Sequence, residues 1–204
     1  MGLLGASCSF TRFRITESVP RELWTEIPAK LQQFAFQDID DVAEERAWGW
    51  TSFEDMLDTA WRSAPPEKGA YLAFAFRLDT RRIPPAVLKK HVMIALREEE
   101  GRIKEQGKKF IARERKNELR DQVKLRLMGR FLPIPAVFDV AWSTESNVIY
   151  LASTQSKLIE LFTELFIRTF DLNIEPLTPY ALAASILDEA GMTRLDTLEP
   201  TRFV

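Results

Sequence analysis

The chain has 204 residues, 46% of them apolar, enough to build the core of one large domain or two small ones and to exclude global disorder. Its 28 Lys and Arg stand against 30 Asp and Glu for a formal charge of −2, so any basic surface has to be local. A single cysteine, Cys8, cannot form an intramolecular disulfide, and with His91 as the one histidine the chain lacks the soft ligands of a zinc centre.

The opening MGLLGASC has neither a charged leader nor an apolar stretch of signal-peptide length, and Ala6 stands where a myristoylation signal carries Ser or Thr. With no apolar run of membrane-spanning length, the expectation is a cytoplasmic, unprocessed chain with no membrane partner.

In chain order, Ser7 to Ile15 alternates apolar and polar residues and predicts a first strand with one wet face. Ser18 and Pro20 mark a helix start, after which Leu23, Trp24, Ile27, Leu31 and Phe34 recur at helical spacing, with Pro28 expected to kink or shorten the helix. Arg46 to Thr51 and Tyr71 to Leu78 have strand composition, and Pro65 to Gly69 between them reads as a loop. From Ala86 to Met128 the pattern predicts two long helices, interrupted near Gly101 and Gly107 and folded as an antiparallel hairpin. Leu88, Val92, Ala95, Leu96 and Ile103 share one side of the first helix, and Leu119, Val123 and Leu127 share one side of the second. Val137 to Trp142 and Val148 to Ala152 form a β-hairpin pattern around Ser143 to Asn147. A helix over Gln155 to Phe170, a short strand at Ile174 to Leu177 and a helix over Pro179 to Ala190 follow, and the last dozen residues lack periodicity. Strands separated by helices, with hairpins among them, predict an α+β fold: sheet-bearing lobes with packed helices, and residues 86–130 as a projecting helical sublobe of a single 1–204 domain.

Charge is where the chain departs from uniformity. Residues 101–130 carry eleven Lys or Arg and four Asp or Glu, a local +7 that leaves −9 for the rest of a chain of net −2. On a helix, Arg113, Lys116, Arg120 and Lys124 share one stripe beside Leu119, Val123 and Leu127, while Glu114, Glu118 and Asp121 lie elsewhere. An apolar face would anchor the helix, and cations one turn apart could follow the phosphates of a duplex. A solvated mixed-charge helix stabilised by its own ion pairs accounts for the same composition.

Other constellations carry less. Asp38, Asp40, Asp41, Glu44 and Glu45 could in principle hold Mg²⁺, but such an acidic stretch reads first as a plain loop. The triplet Glu114-Arg115-Lys116 resembles an acid-x-Lys nuclease element, but on a helix residues two apart diverge by about 200° and cannot serve one site. Phosphate-loop, nucleophile-elbow and Cys-His signatures are missing, so ATP-driven or nucleophilic chemistry has no support. The five tryptophans fall in amphipathic patterns and read as core before base-stacking platforms; Cys8 reads as a small strand or core residue and His91 as surface or half-buried. Phe131 and Leu132, after Gly129 and Arg130, read as an apolar pair at the hairpin tip, either a self-association contact or a cap on the hairpin.

Taken in order, the segments FTRFRI, QQFAF, WGW, YLAFAFRLDTRRIPPAVLKK, KKFIARERKNELRDQVKLRL, VFDVAWSTESNVIYLAST and EPLTP resemble the bacterial recombination-associated RdgC family over about residues 1–180. The resemblance implies a horseshoe of α+β lobes, two copies closing into a ring with a positively lined hole, and nucleoid-associated binding of double-stranded DNA with little sequence preference. It also implies restraint of RecA-dependent recombination. In those terms Lys108, Lys109, Arg113, Lys116, Arg120 and Lys124 are the candidate DNA contacts, and Phe131 and Leu132 the candidate self-association contact of a homodimer. No cofactor, metal or catalytic residue is expected. A protein-docking role for the charged hairpin and a metal-dependent exonuclease, the latter on the family's label alone, are the alternatives. Family members continue well beyond the length of this chain, so the resemblance is to a short version in which ring closure is an open matter.

Overall fold

A computed structural model describes residues 2–105 and 110–199. Alternation sets the strands. In β1 (Thr11–Ile15) Phe13 is fully buried while its neighbours Arg12 and Arg14 point the other way. Tryptophan and phenylalanine at alternate positions do the same in β2 (Arg46–Ser52) and β4 (Tyr71–Thr80), which pair antiparallel with Trp50 opposite Phe76. The short β3 (Glu67–Lys68) lies in the stretch that composition marks as a loop; it turns onto β4 through Gly69, whose φ of 64° is the left-handed conformation that a two-residue hairpin demands. Two long helices follow, α2 (Pro85–Glu105) and α3 (Arg113–Met128). The chain re-enters the sheet as β5 (Ile134–Ser143), turns at Asn147 into β6 (Val148–Leu151), and closes with α4 (Ser156–Phe170) and β7 (Ile174–Pro176).

All seven strands belong to one antiparallel sheet, in the order β2-β4-β5-β6-β1-β7 with β3 beside β4. The α+β expectation is met, but with one sheet among the described residues in place of several sheet-bearing lobes. The first strand lands between β6 and β7, pairing Phe13 with Ile149 and with Pro176. The outer edge of β2 is closed by residues 34–36: Phe36 N–H donates to Trp50 O at 2.8 Å and Trp50 N–H to Phe34 O at 3.1 Å. This close approach is why position 49 is glycine, since a Cβ there would run into the Phe36 backbone.

One sheet face is covered by α4 and by α1 (Leu23–Gln33). Leu23, Ile27 and Leu31 recur every four residues on α1 and are buried; Pro28 sits inside the helix without ending it. On α4 the buried set is Leu158, Phe162, Leu165, Phe166, Thr169 and Phe170. Their rings interlock with those of the sheet, Trp50 standing edge-on to Phe74 at 5.2 Å and Trp142 to Phe166 at 5.4 Å. Trp50 Nε1–H donates to Thr169 Oγ1 at 2.8 Å, and that hydroxyl donates onward to Leu165 O at 2.7 Å. Trp24, Trp48 and Trp61 pack against the same core, so the tryptophans serve packing, as their patterns imply.

Loops cover the opposite face. The buried Arg77 forks onto Asp79 at 2.9 and 2.7 Å and lies 4.0 Å from the centroid of the Phe36 ring. Arg81, 3% exposed, donates to the carbonyls of Ile39, Asp40, Val42 and Glu44, which pins the acidic loop to the end of β4. Cys8 lies in the irregular segment ahead of β1 and is half-buried, not a strand or core residue. The C-terminal segment forms two helices where one was expected, α5 (Pro179–Ile186) and α6 (Glu189–Asp196), the second capped by Asp188, which accepts from Gly191 N–H at 2.8 Å.

Candidate nucleic-acid interface

The helical hairpin leaves the sheet after β4 and returns to it at β5. Pro84 and Pro85 start α2, with the N–H groups of Val87 and Leu88 donating to Pro84 O. No side chain of α2 is fully buried; Leu88, His91, Val92, Ala95, Leu96, Glu99 and Ile103 are half-buried and make the seam against α3. On α3 the seam is Leu119, Val123 and Leu127, all buried, as the helical spacing predicts. The helix α2 runs unbroken through Gly101, while Gly107, Lys108 and Lys109 lie outside the described residues.

Ion pairs divide the cations of α3 into two groups. Arg115 is committed: it donates to Glu99 of α2 at 2.8 Å and to Glu118 at 3.0 Å, which raises its own pKa and lowers that of Glu99. It clasps the outer end of the hairpin. Arg113, Lys116 and Arg120 are exposed and have no ion-pair partner among the described residues. Lys124, the fourth member of the predicted stripe, is half-buried and its Nζ donates to Glu45 Oε2 at 2.9 Å. The stripe as the structure has it is three unpaired cations plus one held by the body of the protein. On this helix the ion pairs lie on Arg115's flank of the seam and the unpaired cations on the other.

Near the outer end Lys116 shares a hollow with Lys104 and Glu100 of α2 and with Phe110. Lys104 escaped the sequence reading, although its position in the last turn of α2 is a signal that could have found it. Ala112 precedes α3 and supplies no side-chain acceptor to its first turn, so the positive end of that helix dipole sits beside Arg113.

The apolar pair Phe131 and Leu132 is not at the tip. Residues between α3 and β5 belong to the base, where Arg130 N–H donates to Leu127 O at 2.8 Å and the chain turns back into the sheet. Phe131 is half-buried there and Leu132 is 73% exposed. The tip lies between α2 and α3, and its exposed apolar side chain is Phe110, 86% accessible. Sequence reasoning put the end of the second helix at the end of the hairpin, which is an inversion of the two ends.

Glu114 and Lys116 sit on α3 two residues apart and diverge, so the nuclease-like triplet is not assembled. Among the described residues no three His, Cys, Asp or Glu side chains come together as a metal-holding group, and no helix is long and apolar enough to cross a membrane.

Lys124 and Glu45 give a measurable handle. The hydrogen bond from Lys124 holds the Glu45 carboxyl below its ordinary value, so this contact forms above the usual carboxylate range and is lost as pH falls through the lowered pKa. Replacement Glu45→Gln frees the lysine; on the duplex-binding reading proposed below, affinity is expected to rise by about threefold to tenfold and the salt slope to steepen by about one contact, read by anisotropy at two salt concentrations.

Fold and surface together define a class: an α+β protein in which a basic helical arm is inserted into an antiparallel sheet. Within that class the assignment is specific. A family model described as "Putative exonuclease, RdgC" matches residues 9–189, and the chain belongs to the RdgC family. No curated protein matches it.

Proposed function

We propose that this chain binds double-stranded DNA without sequence preference, through phosphate contacts made by Arg113, Lys116 and Arg120, with Lys124 joining once Glu45 lets go. Lys108 and Lys109, which lie outside the described residues, are further candidate contacts in this reading. The observation that carries it is the unpaired state of three exposed cations at one-turn spacing on a helix whose apolar side is buried. Cations left unpaired while acidic residues sit on the next turn are what a surface meant for an external polyanion requires. The protein in this reading is a nucleoid-associated, cytoplasmic DNA-binding factor that modulates recombination or replication-fork repair, antagonises RecA in the manner implied by its family, and carries out no catalysis. Phe131 and Leu132, at the hairpin base, are the contact through which two copies associate in this reading, and closure of such a pair into a ring would enclose the duplex.

A titration of a short duplex against salt tests it. With about four phosphates neutralised, log affinity should fall with log salt at a slope near −3.6, and duplexes of unrelated sequence should give the same line. No duplex binding at low salt sinks the reading; degradation of an end-labelled strand dependent on added Mg²⁺ or Mn²⁺ would replace it with the exonuclease.

A further inference from the structure

The helix layer stops short of one end of the sheet. Arg46, Thr80 and Ile134 oppose one another across β2, β4 and β5 and form the last row of the helix-side face, with Trp48, Leu78 and Ala136 the row before it. Ile134 is 58% exposed although it stands on the face that carries the core. Two hollows, of about 550 and about 360 Å³, open on this row and share Arg46, Thr80, Arg82 and Ile134. One runs toward the hairpin base and reaches Leu88 and Met128; the other runs under the start of α4 and reaches Lys157 and Leu161. They make one groove with an aliphatic floor.

Its charge is one-sided. Arg46, Arg82 and Lys157 have no ion-pair partner among the described residues, and the one carboxylate lining the groove, Glu45, is taken by Lys124. We propose that this groove is a docking site for an acidic peptide segment of a partner protein, one that alternates carboxylates with large aliphatic side chains.

Charge complementarity argues for the carboxylates and the open floor around Ile134 for the aliphatic groups, the combination that peptide grooves use for orientation and affinity. Nucleic acid fits less well. A phosphate laid on this floor would be desolvated against aliphatic carbon, and a base would need an exposed ring to stack on. The only ring lining the groove, Phe138, packs against the core. Lys124 lies where the stripe of α3 meets the groove, but Arg113, Lys116 and Arg120 line neither hollow, so the two cationic surfaces can be tested apart.

The experiment is fluorescence anisotropy on the full chain with a labelled synthetic peptide of about eight residues alternating Asp and Leu, and with the same peptide carrying Lys for Asp. Binding of the Asp peptide is expected at about 10–100 μM, with none by the Lys peptide. The double variant Arg46→Glu with Arg82→Glu should weaken it at least about tenfold, and so should Ile134→Arg, which adds positive charge but removes the floor. All three positions are exposed, so these variants are expected to fold, and thermal melting checks that they do. Reversal of Arg113, Lys116 and Arg120 should leave peptide binding unchanged, which separates this proposal from the DNA reading. Equal binding of both peptides would show apolar contact without charge recognition, and undiminished binding by Ile134→Arg would show charge attraction alone; either would overturn it. So would an unbound Asp peptide, whether duplex affinity falls in Arg46→Glu with Arg82→Glu, marking a nucleic-acid surface, or a dimer mass is lost in Ile134→Arg, marking an interface between copies.

Discussion

Replacing Arg113, Lys116 and Arg120 together by glutamate is expected to lower duplex affinity by about 10²-fold or more at moderate salt, and by the same factor for unrelated sequences. The three side chains are exposed, unpaired and set at intervals of three and four on one helix, so their removal disturbs no ion pair in the fold. Each phosphate contact contributes about 0.9 to the salt slope, and the loss of three should flatten it by about 2.7. Anisotropy at several salt concentrations measures both quantities. Unchanged affinity in the triple variant would remove α3 from the interface, whereas unchanged slope with weaker binding would mean that the helix acts through shape and not through charge. The partial version, Arg115→Ala, separates local structure from contact: it opens the clasp to Glu99 and Glu118 without touching the stripe.

The second large effect lies in the core. Phe162 is fully buried, with its ring 5.3 Å from that of Phe13, 5.9 Å from Trp50 and from Phe166, and 6.1 Å from Phe76. These neighbours belong to β1, β2, β4 and α4, so the ring is where the helix layer meets three strands at once. Phe162→Ala should cost about 3–5 kcal/mol, the lost transfer energy plus the cavity that rigid rings on every side cannot close. For a chain of this size that corresponds to a fall of about 10 °C in melting temperature, measurable by calorimetry or circular dichroism. A fall of less than a few degrees would mean that the aromatic cluster relaxes around the void.

Local elements were legible because their periods are strong. The every-fourth-residue spacing of Leu23, Ile27 and Leu31, the alternation around Phe74 and Phe76, and the seam of Leu119, Val123 and Leu127 each specify one structure and one buried face. The order of strands was not legible, because nothing in TRFRI encodes that β1 will insert between β6 and β7, which come more than a hundred residues later. The two-residue β3 is too short to show a period, and α6 was passed over although Asp188 and Gly191 spell out a capped start. At the candidate interface, the stripe could be projected from spacing alone. That Lys124 is withdrawn from it could not, since Glu45 is 79 residues away and is brought to the lysine by the pairing of Arg46 with Thr80 and by Arg81, which anchors the acidic loop. Phe131 was misplaced for a similar reason: a helix end is visible in sequence, but whether it is the free or the rooted end of a hairpin depends on what the following strand pairs with.

That pairing has a mechanical meaning. The strands on either side of the hairpin, β4 and β5, are directly hydrogen-bonded along ten opposed pairs, from Tyr71 with Ser143 to Thr80 with Ile134, and the main hydrophobic core draws no buried residue from α2 or α3. The arm is thus an appendage rooted across a single rung of the longest ladder in the sheet, and the body does not need it to close its core. Both roots of the arm lie at the same end of that ladder, so a pull along the strands draws β4 and β5 the same way and passes to their flanking ladders with β2 and β6, whereas spreading the roots would open the pairs from Thr80 and Ile134 inward. An arm so mounted can be shortened or exchanged without emptying the core of what carries it.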